Sequence, residues 1–143
     1  MTYTNTAFET LKEDFEFIDD WEERYKYVIE LGKNMPALPQ EEQTEDKKIH
    51  GCVSQVWLKT TFGQNDAGEK TLQFLGDSDA LIVRGLVAVL RILFNDQPVE
   101  YVAKTDAIAA IADLGLNEHL TPQRSNGLTS MVKRLQSDAQ SAL

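Results

Sequence analysis

The chain has 143 residues, enough for one domain with a sizeable core and short for two. It carries 23 acidic against 14 basic side chains and a single cysteine, Cys52. One cysteine excludes an intramolecular disulfide, a cysteine-rich zinc or iron–sulfur site and a two-thiol redox cycle. A net charge of −9 argues against nucleic acid, whose phosphates need a basic face.

All the excess acidity lies early. Residues 1–46 hold 13 Asp/Glu and 4 Lys/Arg, and residues 47–143 hold 10 of each. Such a stretch reads as a solvated face or as a surface that steers a basic partner. The N-terminus lacks a basic and apolar leader, and the apolar run Ala80–Phe94 is short for a membrane span and broken by Arg84 and Arg91. The expectation is a cytoplasmic protein with no membrane contact.

Phe8, Leu11, Phe15 and Ile18 share a helical stripe, which predicts a helix over about 6–18. Asp20 can cap a second helix, with Glu23 completing a capping box and Gly32 as its stop. Trp21, Tyr25, Val28 and Ile29 form its apolar face. Met35–Pro39 cannot continue a helix and reads as an extended connector. Gln40–Lys48 is polar, a surface loop or a poorly formed first strand.

The period then changes to two. Val56, Leu58 and Phe62 point one way, and Val53, Gln55, Trp57 and Lys59 the other. Gln64–Gly68 is turn chemistry, and Leu72 and Phe74 alternate on the returning strand. Lys47–His50 can add a third strand before the hairpin. Gly76–Asp79 closes the sheet, and Ser78 or Asp77 can cap the buried helix that follows. Gln97–Pro98 opens another helical segment, Thr105 caps one over 106–114, and Gly115 ends it. Residues 121–127 lead into a last helix striped by Leu128, Met131, Val132, Leu135 and Ala139. The expectation is an α+β fold in one domain over 1–143: a small three-stranded antiparallel sheet with helices before and after it.

Cys52 is the candidate for chemistry. It follows Gly51, which permits a tight turn or a positive φ. Its phase matches Ser54, Val56 and Leu58, the core-facing set. A lone free cysteine is more often a small buried hydrophobe, and Lys47 and Lys48 are too far along the chain to be adjacent charges. His50 can pair with the thiolate if the turn allows, although a satisfied or exposed histidine is the commoner outcome. His119 has no partner near it in sequence, so a Cys–His hydrolase arrangement is weakly supported.

Five segments in order resemble the SufE family of sulfur acceptors in iron–sulfur cluster assembly, which includes CsdE-type paralogues. They are Trp21–Tyr25, Glu30–Gly32 with Leu38-Pro39, Gly51–Trp57, Gly76–Leu86 and Leu120–Leu128. The resemblance implies the fold of the NifU/IscU-type scaffolds, with Cys52 as the acceptor of persulfide sulfur. It implies a pyridoxal-phosphate cysteine desulfurase of the SufS or CsdA type as partner, stimulated by sulfur removal. It also implies the Suf scaffold complex as recipient, and family members can dimerise. The protein itself would need no cofactor or metal and would have no independent turnover. Gly51, Ser54, Asp79 and Arg124 carry over as supporting or partner-binding residues. Arg124 would hold the Cys52 loop or the partner interface, Asp79 would touch the partner or a dimer mate, and Ser54 would bond the loop backbone. Two other readings stand beside this one: a one-cysteine thiol peroxidase or redox sensor using Cys52, and a binding module using the acidic first third.

Overall fold

A computed structural model of the chain describes residues 5–51, 54–116 and 120–143. Helix α1 spans Thr6–Glu16 and α2 spans Trp21–Asn34. Two 3-10 turns, Gln40–Glu42 and Glu45–Lys47, lead to the hairpin β1 (Val56–Gln64) and β2 (Lys70–Ser78). Then come α3 (Leu81–Phe94), β3 (Gln97–Pro98), α4 (Val99–Lys104), α5 (Ala107–Asp113) and α6 (Pro122–Ser141). The sheet is antiparallel in the order β1-β2-β3, with Val56 opposite Ser78 and Leu72 opposite Gln97. The α+β expectation therefore stands, with three strands and flanking helices.

The third strand is not where the sequence pattern put it. Lys48 makes only an isolated bridge to Trp57, and Gln97–Pro98 supplies β3 instead of opening a helix. Pro98 lacks an N–H, and α4 starts just after it at Val99. Asp106 rather than Thr105 caps α5, accepting from the Ala109 amide at 3.0 Å. Thr105 instead closes α4, its hydroxyl donating to the Tyr101 carbonyl. Thr121 caps α6 by accepting from the Arg124 amide, so that helix begins at Pro122 and includes the segment read as a lead-in.

The core lies where apolar stripes meet. Phe8, Leu11 and Phe15 of α1, Val56 and Leu58 of β1, Leu72 and Phe74 of β2, and most of α3 are buried in it. The α6 stripe Leu128, Met131, Val132, Leu135 and Ala139 is buried as expected. Phe62 departs from its pattern: it is 43% exposed at the hairpin's far end, with Lys70 Nζ 5.4 Å from its ring centroid. It shares the lining of a surface pocket with Arg134, Asp138 and Ser141 of α6 rather than entering the core.

Gly32 is not a helix stop. It sits inside α2, where a Cβ would lie 2.7 Å from the Gly85 nitrogen. A Cβ on Gly85 would lie 2.4 Å from the Val28 carbonyl oxygen. The two glycines let α2 and α3 cross backbone against backbone. Arg84 fastens that crossing. Its Nε donates to the Gly32 carbonyl at 2.8 Å, Nη2 to the Met35 carbonyl at 3.1 Å and Nη1 to Asp77 Oδ1 at 3.1 Å. The last carbonyls of α2 thus find donors on α3. Asp77 is accordingly an ion-pair partner, and Ser78 Oγ accepts from the Ala80 amide at 3.2 Å; neither caps the first turn of α3. Asp20 caps α2 through the Glu22 amide, while the Glu23 carboxylate faces Lys26 at 3.6 Å rather than closing a capping box.

Candidate functional site

Three chain segments converge where β1 begins. Asp79 pins the first: its Oδ1 accepts from the Gln55 amide at 3.0 Å, and its own amide donates to the Gln55 carbonyl at 3.3 Å. These bonds extend the β1–β2 ladder one step past Val56 and Ser78. Asp79 is exposed, and its ordering of Gln55 replaces the capping role expected for its segment.

Beside Gln55 opens a pocket of about 230 Å³. Ser54 stands at its wall, Val83 and Leu86 enter from α3, and Gly127, Leu128 and Met131 from α6. Thr121, Gln123 and Arg124 complete the rim from the start of α6. The lining is thus an apolar floor under a polar rim bearing one cation. Among the described residues, none of the acidic first third contributes to it.

The expected site residues fall as follows. Gly51 adopts φ +92°, the left-handed region that glycine tolerates, and a Cβ there would lie 2.9 Å from Ser130 Oγ on α6. Cys52 and Val53 lie outside the described residues. In the chain Cys52 is bonded to Gly51, which packs on α6, and stands two positions before Ser54, in the pocket wall. Arg124 is half-buried in the rim, and among the described residues its guanidinium takes part in no ion pair. Ser54 is half-buried, and among the described residues its hydroxyl has no hydrogen-bond partner. Gly51, Ser54 and Arg124 are therefore brought together around α6, with Asp79 adjoining through Gln55.

The other candidates point elsewhere. His50 is exposed, with Nε2 3.4 Å from Glu45 Oε1. Lys47 is engaged by Glu42 at 2.9 Å, and that contact raises the lysine pKa and lowers the carboxyl's. His119 lies outside the described residues. Among the described residues no group of three or more His, Cys, Asp or Glu side chains is placed to hold a metal. No described helix is long and apolar enough to cross a membrane.

Sequence reasoning missed Leu81 and the pocket's apolar floor. Leu81 is 59% exposed at the start of α3, two residues after Asp79. Its signal is faint: in a segment apolar nearly all round, only the helix phase separates an outward leucine from buried neighbours. Met131 and Leu128 read as core stripe, a role they also serve.

Comparison with known proteins matches the site's sequence to a family. The family model described as "SufE: Fe-S metabolism associated domain" covers residues 9–139. The chain belongs to the SufE family. An uncharacterised SufE-like protein of Rhizobium meliloti is 46% identical over 138 residues, spanning 96% of this chain and 98% of its own. One from Rhizobium etli is 47% identical over 133 residues, spanning 93% of this chain and 89% of its own. The solution structure of a hypothetical protein from Thermus thermophilus superimposes with a TM-score of 0.74 at 21% identity, covering 95% of both chains. That likeness establishes a shared fold. Membership of the SufE family associates the protein with iron–sulfur metabolism.

Proposed function

We propose that this SufE-family protein accepts sulfur on Cys52 from the persulfide of a pyridoxal-phosphate cysteine desulfurase and passes it to a cluster scaffold, stimulating the desulfurase by removing its product. The observation that carries the reading is the setting of the lone cysteine. It follows a glycine at φ +92° and precedes Ser54 in the wall of a pocket with an apolar floor and an arginine at its rim.

In the transfer, the Cys52 thiolate attacks the sulfane sulfur of the partner's Cys–S–SH. A new S–S bond forms at Cys52 as the partner's S–S bond breaks. The partner cysteine leaves as a thiolate and takes up a proton, and no outside oxidant or reductant is consumed. A second thiol in the chain would compete for the sulfur, and the sequence contains none. The apolar floor formed by Val83, Leu86 and Met131 suits a persulfide that must be kept from solvent reductants. The Arg124 guanidinium is a donor able to stabilise a thiolate or persulfide anion nearby. Gln123 of the rim serves with Asp79 and Leu81 as partner contacts, Leu81 being the apolar anchor.

The test is to incubate the protein with desulfurase and cysteine and to map a 32 Da adduct by mass spectrometry, a mass that is one sulfur atom. Cys52→Ser is expected to lose the adduct and the stimulation while keeping its fold. Equal stimulation by the serine variant would refute the proposal. The same Arg124, without an ion pair among the described residues, favours one second reading, a thiol peroxidase in which it polarises the peroxide. A slow reaction of Cys52 with peroxide and an ordinary thiol pKa would remove that alternative.

A further inference from the structure

The two arginines of α3, seven residues apart, meet different surroundings. Arg84 is engaged at all three guanidinium nitrogens, by two carbonyls and Asp77. Arg91 donates Nε to the Phe74 carbonyl at 3.0 Å, and among the described residues no acceptor meets Nη1 or Nη2 and no carboxylate lies within 4 Å. Packing against β2 strips water from this guanidinium and pushes its pKa down, with the nearby Asp96 opposing the shift. The Asp96 carboxylate is itself occupied, accepting from Gln73 Nε2 at 2.9 Å and Asn95 Nδ2 at 3.3 Å.

Arg91 borders a pocket of about 230 Å³ between the outer face of the hairpin and the end of α3. Lys59, Thr61, Gln73 and Asn95 supply the rest of its polar wall, and among the described residues no carboxylate contributes. Lys59 Nζ lies 3.1 Å from Glu42 Oε1, but Glu42 is shared with Lys47 at 2.9 Å, so Lys59 is only partly neutralised. Two cations and no acid among the described lining residues of one cavity is out of character for a chain of net charge −9, the nearby Glu42 and Asp96 both being engaged elsewhere. The pocket shares no residue with the one beside Ser54.

Its donors define the ligand. The free end of a guanidinium offers two parallel N–H groups that match two oxygens of one anion. Lys59 adds a point charge and Thr61 a hydroxyl. We infer that the Arg91–Lys59 pocket binds a small phosphate group, either inorganic phosphate or the phosphate of a small monoester. This inference does not depend on the sulfur-acceptor reading.

The experiment is an NMR titration of the whole protein at constant ionic strength, with inorganic phosphate, glycerol phosphate and acetate as separate probes. Saturable shifts are expected at the Arg91 Nε–H and at the amides of Leu75 and Asn95. Arg91→Gln is expected to weaken binding about ten-fold, the loss of one charge-assisted contact. Lys59→Gln, at a half-exposed strand position, is expected to weaken it several-fold and serves if the Arg91 variant folds poorly. Lys33→Gln, at an exposed lysine on α2, should change nothing. Tighter binding of the monoester would identify a phosphorylated metabolite as the natural source, and tighter binding of inorganic phosphate the free ion. Linear, non-saturating shifts, affinity unchanged in both pocket variants, or acetate binding as well as phosphate would overturn the assignment.

Discussion

Replacing Arg84 with methionine removes the fastening between α2, α3 and β2 while keeping most of the side chain's volume. The variant loses donors to the Gly32 and Met35 carbonyls and leaves Asp77, whose side chain is 10% exposed, without its cation. Hydrogen bonds to charged groups contribute about 1.5–3 kcal/mol each, and breaking a buried ion pair from one side costs about 3–5 kcal/mol. These terms overlap, since Asp77 still accepts from the Ser78 amide at 2.9 Å and the three contacts belong to one guanidinium. The expected destabilisation is therefore about 3–5 kcal/mol. With an unfolding entropy near 2.1 cal/mol/K per residue, that lowers Tm by roughly 10–17 °C. Urea unfolding should show a lower midpoint at unchanged slope, because the exposed surface on unfolding is the same. Asp77→Asn provides the second arm of a double-mutant cycle, with a coupling of about 1–3 kcal/mol. An Arg84→Met variant within about 1 kcal/mol of the parent, or a coupling near zero, would refute the assignment of Arg84 as the tie.

Gly85→Ala places a methyl 2.4 Å from the Val28 carbonyl oxygen, where only backbone movement can relieve it; a loss of about 3 kcal/mol or more is expected in thermal unfolding, and a near-parental Tm would contradict the close crossing. Asp79→Ala removes the acceptor for the Gln55 amide. Hydrogen exchange at Gln55 should accelerate while global stability changes by less than about 1 kcal/mol, and unchanged exchange would show that Asp79 does not order this segment. Lys47 and Lys59 hold the Glu42 carboxyl below its usual range, so the unfolded chain takes up that proton first. The stabilisation is present above the ordinary carboxyl pKa and fades as pH falls through the lowered one. The same contact raises the Lys47 pKa, so that its share persists below the ordinary ammonium value and is lost as pH rises through the raised one. Glu42→Gln should flatten the acid limb of a stability–pH curve, and an unaltered limb would discount the pair.

Periodicity made most of this fold legible. The stripes of α1 and α6 and the alternation at Val56, Leu58, Leu72 and Phe74 predicted buried faces that the structure reproduces. Failures came where long-range contacts decide. A two-residue strand such as Gln97–Pro98 has no period to read, and only pairing with Thr71 and Leu72 defines it. Gly32 carries the local chemistry of a helix end, yet the approach of Gly85 makes it a crossing point. Asp77 offers a capping side chain, but Arg84, seven residues on, competes for it successfully. At the site, Gly51 and its positive φ were readable from glycine's freedom. The pocket floor was not, because Leu86 and Met131 look like core from either helix alone and form a cavity only where α3 and α6 meet.

One turn of α3 ties these features together. Val83 and Leu86 line the pocket beside Ser54, while Arg84 and Gly85, between them, bind α3 to β2 and α2. The crossing is held by backbone contact and by a charge-assisted fork, neither of which can repack as a pair of leucines can. The wall beside Ser54 is therefore fixed by the core rather than by the surface loops around it. Adjustment on docking a partner should fall on the exposed residues, Gly51 and Asp79 to Leu81, while Val83 and Leu86 stay in place. For the sulfur-acceptor role proposed above this division would suit the chemistry: a rigid apolar wall would shelter a persulfide, and the exposed rim would be left to meet desulfurase and recipient in turn. It follows that Arg84→Met should impair sulfur transfer at temperatures where the protein is still folded, through the pocket wall, whereas Phe62→Ser, at the exposed end of the hairpin, should leave transfer unchanged.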